Sequence, residues 1–199
     1  MPATGGQQEL FDRTSGLPDG LRYADGFLTP LDERSLVAEI QKLPLHEARY
    51  RSFTARRRIL SFGAGYDFQS NVLLPAPPIP PFLLQLRERV AHWAGIPDDR
   101  LAQSTVAEYT PGTQLGWHRD VPQFGIVIGL SLLSPCRMRL RPYPHLKHGK
   151  ERALVLTLEP RSIYTLRGTA RWRWQHAISP TKALRHSITF RTMRRDDDG

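Results

Sequence analysis

Apolar residues along the chain fall into two textures. In the first half they recur at helical spacing, and from Ser104 onward they crowd into short runs. Leu36, Val37, Ile40 and Leu43 repeat on one helical face. Ahead of them, Thr29-Pro30-Leu31-Asp32-Glu33 reads as a helix start, with Thr29 placed to cap, Pro30 in the first turn and acids following. Pro44 marks the expected end. LLPAPPIPP (73–81) predicts an extended connector, and a second helix is expected from Pro81 to Trp93, closed by Gly95. Residues 1–20, rich in Gly, Gln and Asp, are expected to be loosely ordered.

The second half predicts strands. STVAEY, GIVIGLSLL, CRMRLR, ALVLTL, SIYTLR and LRHSITFRTM are rich in β-branched and apolar residues, and most are bounded by Pro or Gly. PHLKHGK (144–150) reads as a hairpin loop, and the tail RRDDDG as solvated. Helices first and closely spaced strands afterwards predict one α+β, mostly β domain over 1–199. Its antiparallel sandwich or barrel carries the N-terminal helices packed on one side.

Bulk properties narrow the setting. Lys plus Arg number 28 against 19 for Asp plus Glu, a net charge of +9 carried mostly by arginine. Such a chain suits a polyanionic partner, although a solvated basic surface has the same composition. One cysteine, Cys136, cannot form an internal disulfide. No run predicts a membrane span, and the N-terminus has no basic-then-apolar leader. A cytoplasmic protein without membrane contact, acting as a monomer, is the expectation.

Candidate chemistry begins at GWHRD (116–120). On an extended chain His118 and Asp120 point to one side and can grip one metal ion together. Alone, a His-x-Asp pair occurs by chance and more often has a structural or surface role. Of the seven histidines, His145 and His148 fall in the expected hairpin loop and His92 in a helix. His176, after the strand-like ARWRWQ, is the better third ligand. Two histidines and a carboxylate from separate strands form a facial triad that suits ferrous iron, and zinc hydrolysis could use the same set.

The last strand adds to this picture. In RHSITFR, Arg185, Ser187, Thr189 and Arg191 share one face, while His186, Ile188 and Phe190 share the other. The two arginines stand roughly 20 Å apart by strand rise. A surface strand has this pattern too. If the polar face points into a barrel, Arg185 can bind the far carboxylate of a dicarboxylate bidentately, with Tyr109 adding a hydroxyl and Arg191 nearer the metal.

EYTPGTQLGWHRD, GLSLL, WRWQHAI and RHSITFR together resemble the AlkB-type branch of the iron(II)/2-oxoglutarate dioxygenases, the bacterial-type repair proteins for alkylated nucleic acid. The resemblance spans about residues 50–193. It implies a double-stranded β-helix (jelly-roll) core over 104–193. It implies His118, Asp120 and His176 as iron ligands. Tyr109 and Arg185 fall at the distal carboxylate of 2-oxoglutarate, with Ser187 on the same strand face and Arg191 near the other end or near Asp120. It also implies Fe(II), 2-oxoglutarate and O2 as cofactor and co-substrates. Oxidation of an N-methyl group on a base of 1-methyladenine or 3-methylcytosine type would release formaldehyde, succinate and CO2. The base must be flipped out or single-stranded to react, which makes single-stranded DNA or RNA the expected partner.

RSFTARRRILSFGAGYDF (51–68) is the expected recognition lid, within 50–70. Arg56, Arg57 and Arg58 would meet phosphates, and Phe62, Tyr66 and Phe68 would stack on bases. A basic β-hairpin packed on the core gives the same pattern. Arg119 is expected to be solvated or to meet phosphate. Arg137, with Arg139 and Arg141, would line the entrance or form a solvated face. Trp117, Trp172 and Trp174 read as core. Two positions depart from the family pattern: Pro122 replaces an acid that meets the damaged base, and Ala107 replaces an asparagine. Both leave the iron ligands intact and open the base preference. The competing readings are the same chemistry on a protein side chain or modified tRNA nucleoside, and a nucleic-acid binding module with an inactive metal site.

Overall fold

A computed structural model of the chain describes residues 16–50, 53–67, 70, 72–144 and 153–195. Its first half contains β1 (Leu21–Ala24), α1 (Pro30–Ile40), β2 (His46–Tyr50), β3 (Phe53–Phe62), β4 (Gly65–Asp67), β5 (Val72–Leu74) and α2 (Pro81–Ala94). After a 3-10 turn at Asp98–Arg100 come β6 (Leu101–Tyr109), β7 (Leu115–His118), β8 (Phe124–Leu132), β9 (Cys136–Pro142) and β10 (Leu154–Leu158). β11 (Ser162–Leu166), α3 (Gly168–Trp172), β12 (Trp174–Ile178) and β13 (Arg185–Met193) complete it.

The local signals at both N-terminal helices are used. The Thr29 hydroxyl accepts from the Asp32 amide at 3.1 Å, and the Asp32 carboxylate accepts from the Thr29 amide at 2.9 Å. α1 ends at Ile40, short of the end expected at Pro44, and Leu43 packs beyond it against the same core. α2 closes on Gly95, whose φ of 71° is the left-handed conformation glycine adopts without a Cβ penalty.

Eight strands form the jelly roll. β11-β8-β13-β6 lie in one sheet, extended by β1 at one edge and by β3 and β2 at the other; β10-β9-β12-β7 form the second. Every pairing is antiparallel. β8, the continuous apolar run, is buried over all nine residues because both its faces are covered. Outward, Ile126, Ile128, Leu130 and Leu132 meet Leu36, Ile40, Leu83, Leu86 and Val90 of the helices. Inward, Val127 meets Met138, Leu140 and Leu158 of the second sheet. Each fully buried side chain of this size contributes about 1.5–3 kcal/mol.

Three expectations are corrected. ARWRWQ is not one strand: Gly168–Trp172 forms a helical turn, and β12 starts only at Trp174. Its buried Arg171 anchors that turn to the chain after Asp120. The first half holds strands as well as helices, because β3 adds to the edge of the large sheet beside β6. His176 lies in the middle of a strand, paired with His118, and not at a strand end. The expected loose segment at 1–20 lies largely outside the described residues, as do most of the hairpin loop at 144–150 and the end of the tail. Among the described residues, no helix is long and apolar enough to cross a membrane.

Candidate active site

β7 and β12 lie side by side with His118 directly opposite His176, and their rings sit 4.2 Å apart. Asp120 follows β7, and its Oδ2 lies 3.6 Å from His176 Nε2. Ligand atoms of the three residues all fall within 4.8 Å of one another. His118 Nδ1 is 2.8 Å from the Gly116 carbonyl, a contact that fits an N–H donor there and leaves Nε2 with a free lone pair.

The electrostatics match a metal site. Burial pushes the His118 imidazole down despite the pull of Asp120. Burial and the neighbouring His118 bring His176 down to about 3, so both rings are neutral. Burial opposes ionisation of Asp120, yet Arg191, with Arg171 behind it, holds its carboxyl well below the usual carboxylate range. Two neutral imidazoles and one carboxylate are the donor set of a ferrous facial triad.

Arg191 divides the work of the Asp120 carboxylate. Its Nε donates to Oδ1 at 2.7 Å, which leaves Oδ2 facing the histidines. Nη1 of the same side chain is fixed by Gln103 Oε1 at 2.9 Å and Thr105 Oγ1 at 3.2 Å. Sequence patterning missed a second support. Arg171, 3% exposed, donates to the backbone carbonyls of Asp120, Val121, Phe124 and Gly125 at 2.8–3.2 Å. One guanidinium thereby ties down the turn that presents Asp120, and no local pattern marks it.

The large sheet supplies an anion pocket beside the triad. Arg185 is 2% exposed; its Nε donates to Ser131 Oγ at 2.9 Å, and its guanidinium lies 4.9 Å over the Tyr109 ring. Its Nη1 is buried without a hydrogen-bond partner. A charged donor held dry and unmatched is costly unless an anion completes it. Ser187, 7% exposed, lies beside Ser131 in the register. Tyr164 was also missed. Its buried phenol, pushed upward by burial, feels Arg185, Asp120, Tyr109 and Arg191. A Cβ at Gly129 would collide with the Tyr164 ring, so the glycine in an otherwise bulky run is the one signal that could have pointed to it.

The N-terminal candidates separate. Alternation along β3 sends Arg57 inward, where Nη1 meets the Tyr109 hydroxyl at 3.2 Å. Arg56 is exposed. Arg58 faces the other way and pairs with Glu108 at 2.6 and 2.8 Å, so it is not brought to the site. Phe62 is corrected as a base-stacking residue: it is 5% exposed in the core beneath the helices. Tyr66 is half-buried on β4, and Phe68 lies outside the described residues. Arg119 turns away from the triad, donates to the Trp172 carbonyl at 3.0 Å and stacks 3.8 Å over Tyr143. Of the two readings of Arg137, entrance or solvated face, the second fits: it points outward from β9 with Arg139 and Arg141, because Cys136, Met138 and Leu140 take the inward positions. Trp117, expected in the core, is half-buried against Arg139 and Arg141.

The chain is similar to known proteins in sequence and in fold. A model of the 2OG-Fe(II) oxygenase superfamily matches residues 20–195. "Uncharacterized protein L905" of Acanthamoeba polyphaga mimivirus is 28% identical over 195 residues, covering 88% of this chain and 85% of that protein. The "Alkylated DNA repair protein ALKBH8 homolog" of Arabidopsis thaliana is 27% identical over 209 residues, covering 94% of this chain and 58% of the relative. Among solved structures, OsALKBH1 superposes with a TM-score of 0.68 at 18% identity, over 88% of this chain and 98% of that one. A 2OG-Fe(II) oxygenase family oxidoreductase from Burkholderia pseudomallei gives 0.62 at 12% identity, over 98% and 94%.

Proposed function

This chain belongs to the 2OG-Fe(II) oxygenase superfamily, and from that premise we propose that it oxidatively demethylates N-alkylated bases in single-stranded DNA or RNA. The observation that carries the substrate class is Arg57: a basic strand in a chain of net charge +9 sends one guanidinium into the site, against Tyr109, and leaves Arg56 at the surface. A cationic mouth over a buried oxidative centre suits a phosphate backbone whose base is turned inward. The Arabidopsis relative named for alkylated DNA repair supports the same class.

The residues present fit the family's cofactors. His118 Nε2, Asp120 Oδ2 and His176 Nε2 would hold Fe(II), and the unmatched Nη1 of Arg185 would take the distal carboxylate of 2-oxoglutarate beside Tyr109. Iron(II), 2-oxoglutarate and O2 supply the oxidation of an N-methyl carbon, with succinate, CO2 and formaldehyde as the products. The chain's own task is placement. Arg191 fixes one Asp120 oxygen so that the other stays turned to the histidines. Arg171 keeps the turn carrying Asp120 in register. Each charge-assisted bond of this kind is worth about 1.5–3 kcal/mol. Tyr164, Met138 and Leu140 line the interior and exclude water from it. On this reading a nucleotide would enter past Arg57.

The test offers iron-loaded protein, 2-oxoglutarate and ascorbate matched single-stranded DNA and RNA oligomers carrying 1-methyladenine or 3-methylcytosine. Loss of the methyl mass, absent in His118→Ala, is the expected outcome, and the DNA-to-RNA ratio identifies the preferred polymer. Consumption of 2-oxoglutarate without methyl loss overturns this substrate in favour of a protein side chain or modified tRNA nucleoside. Neither change would mean an inactive centre.

A further inference from the structure

The four-stranded sheet has a second face, turned away from the site. β7, β9, β10 and β12 contain no Asp or Glu. Along β9, Arg137, Arg139 and Arg141 point outward at successive two-residue steps, about 7 Å apart by strand rise. Arg137 and Arg139 are exposed and Arg141 is half-buried. Five other arginines are matched to carboxylate: Arg58 with Glu108, Arg87 with Asp98, Arg89 with Asp32, Arg161 with Glu33 and Arg191 with Asp120. The three on β9 have no carboxylate partner among the described residues.

Two of them are nonetheless held in place. Trp117 comes across from β7, and the guanidinium carbons of Arg139 and Arg141 lie 4.7 and 4.3 Å from its ring centroid. Arg141 Nε donates to Gln175 Oε1 at 2.9 Å. Stacking fixes the guanidinium planes and uses few of their N–H groups, so edge donors remain for an oxyanion. The same strands carry the ligands on their opposite face: Trp117 precedes His118, Gln175 precedes His176, and Leu140 on β9 pairs with His176. The row therefore passes behind the metal ligands. At that end of the sheet Arg119 stacks on the 40%-exposed Tyr143 and begins the turn to Asp120.

We propose that this outward face is a track for the phosphate backbone of a single-stranded nucleic acid, with Arg137, Arg139 and Arg141 contacting successive phosphates and Trp117 fixing two of the three. It rests on the nucleic-acid reading above and adds a contact surface outside the active site. Repeated cations with no carboxylate partner among the described residues, spaced like phosphates on an extended strand, match such a ligand in sign and geometry.

The test is the salt dependence of binding, read by fluorescence anisotropy of a dye-labelled oligothymidylate on the full chain. For single strands the slope of log affinity against log salt is about −0.7 per phosphate contact, so Arg137→Gln/Arg139→Gln/Arg141→Gln should flatten it by about 2. The corresponding triple lysine variant should keep the wild-type slope, since lysine meets phosphate as a point charge. Arg137→Gln/Arg139→Gln, both exposed, carries the test if the triple variant fails to fold, with a change of about 1.4. Wild-type binding with an unchanged slope in the glutamine variants overturns the track and leaves the demethylase reading standing. Failure of the wild type to bind any single strand overturns both. Binding of polyglutamate with equal affinity and the same loss in the variants overturns it in favour of an acidic protein partner.

Discussion

The two faces of β13 are built from alternate residues of one strand, in one register, yet they do opposite things. Facing the helices, Ile188 and Phe190 are fully buried in an apolar cluster. Facing the second sheet, Arg185 and Ser187 are packed nearly as deeply and Arg191 is half-buried, and the two arginines carry charge. Each face also buries a polar atom without a partner, Nδ1 of His186 on one side and Nη1 of Arg185 on the other. The costs differ. His186 can donate from Nε2 to Glu108 and leave Nδ1 a bare acceptor, whereas the Arg185 atom is a charged donor in a dry pocket. The helix-side face stabilises the fold by itself; the inner face is complete only with an anion bound.

Substitutions on the two faces should therefore separate stability from binding. The largest effect is expected for Phe190→Ala, a loss of about 3–5 kcal/mol in urea denaturation from a fully buried ring. Manganese(II) affinity per folded molecule should not change. A parallel loss of metal affinity would show that the faces are not independent. Next comes Arg185→Met. Removing a buried, incompletely matched charge should leave the urea midpoint unchanged or raise it. The KM for 2-oxoglutarate should rise about 10-fold or more, from the loss of a charge-assisted contact. A destabilisation comparable to Phe190→Ala would break the comparison.

Glu108→Gln is the smallest change. Burial alone would raise the Glu108 carboxyl, but Arg58 and His186 outweigh it and hold the group below its usual value. A carboxyl depressed in the folded state stabilises it fully above the unfolded value, about 4.3, and the benefit is lost as pH falls through the lower folded value. Arg58 is half exposed, so solvent screening limits the loss at pH 7 to under about 1 kcal/mol. The gap between wild type and variant should close as acid titrates Glu108, and a gap that persisted in acid would assign it to packing.

Local pattern alone carried the helix at Thr29, the closure at Gly95, the split of β13 into a polar and an apolar face, and the pairing of His118 with Asp120. These follow from spacings of two to four residues, which backbone geometry converts directly into shared faces. Alternation says that a strand has two faces but not which is covered. Only the tertiary structure decided that Arg57 turns towards the site while Arg58 and Phe62 take the helix-side face, and that Arg137, Arg139 and Arg141 face away from the site their sheet supports. Arg171 on the turn of Asp120, and Tyr164 over Gly129, join residues tens of positions apart. Contacts of that kind are set by which sheet and which helix close over a strand, and that is a property of the whole packed chain, with no local period to record it.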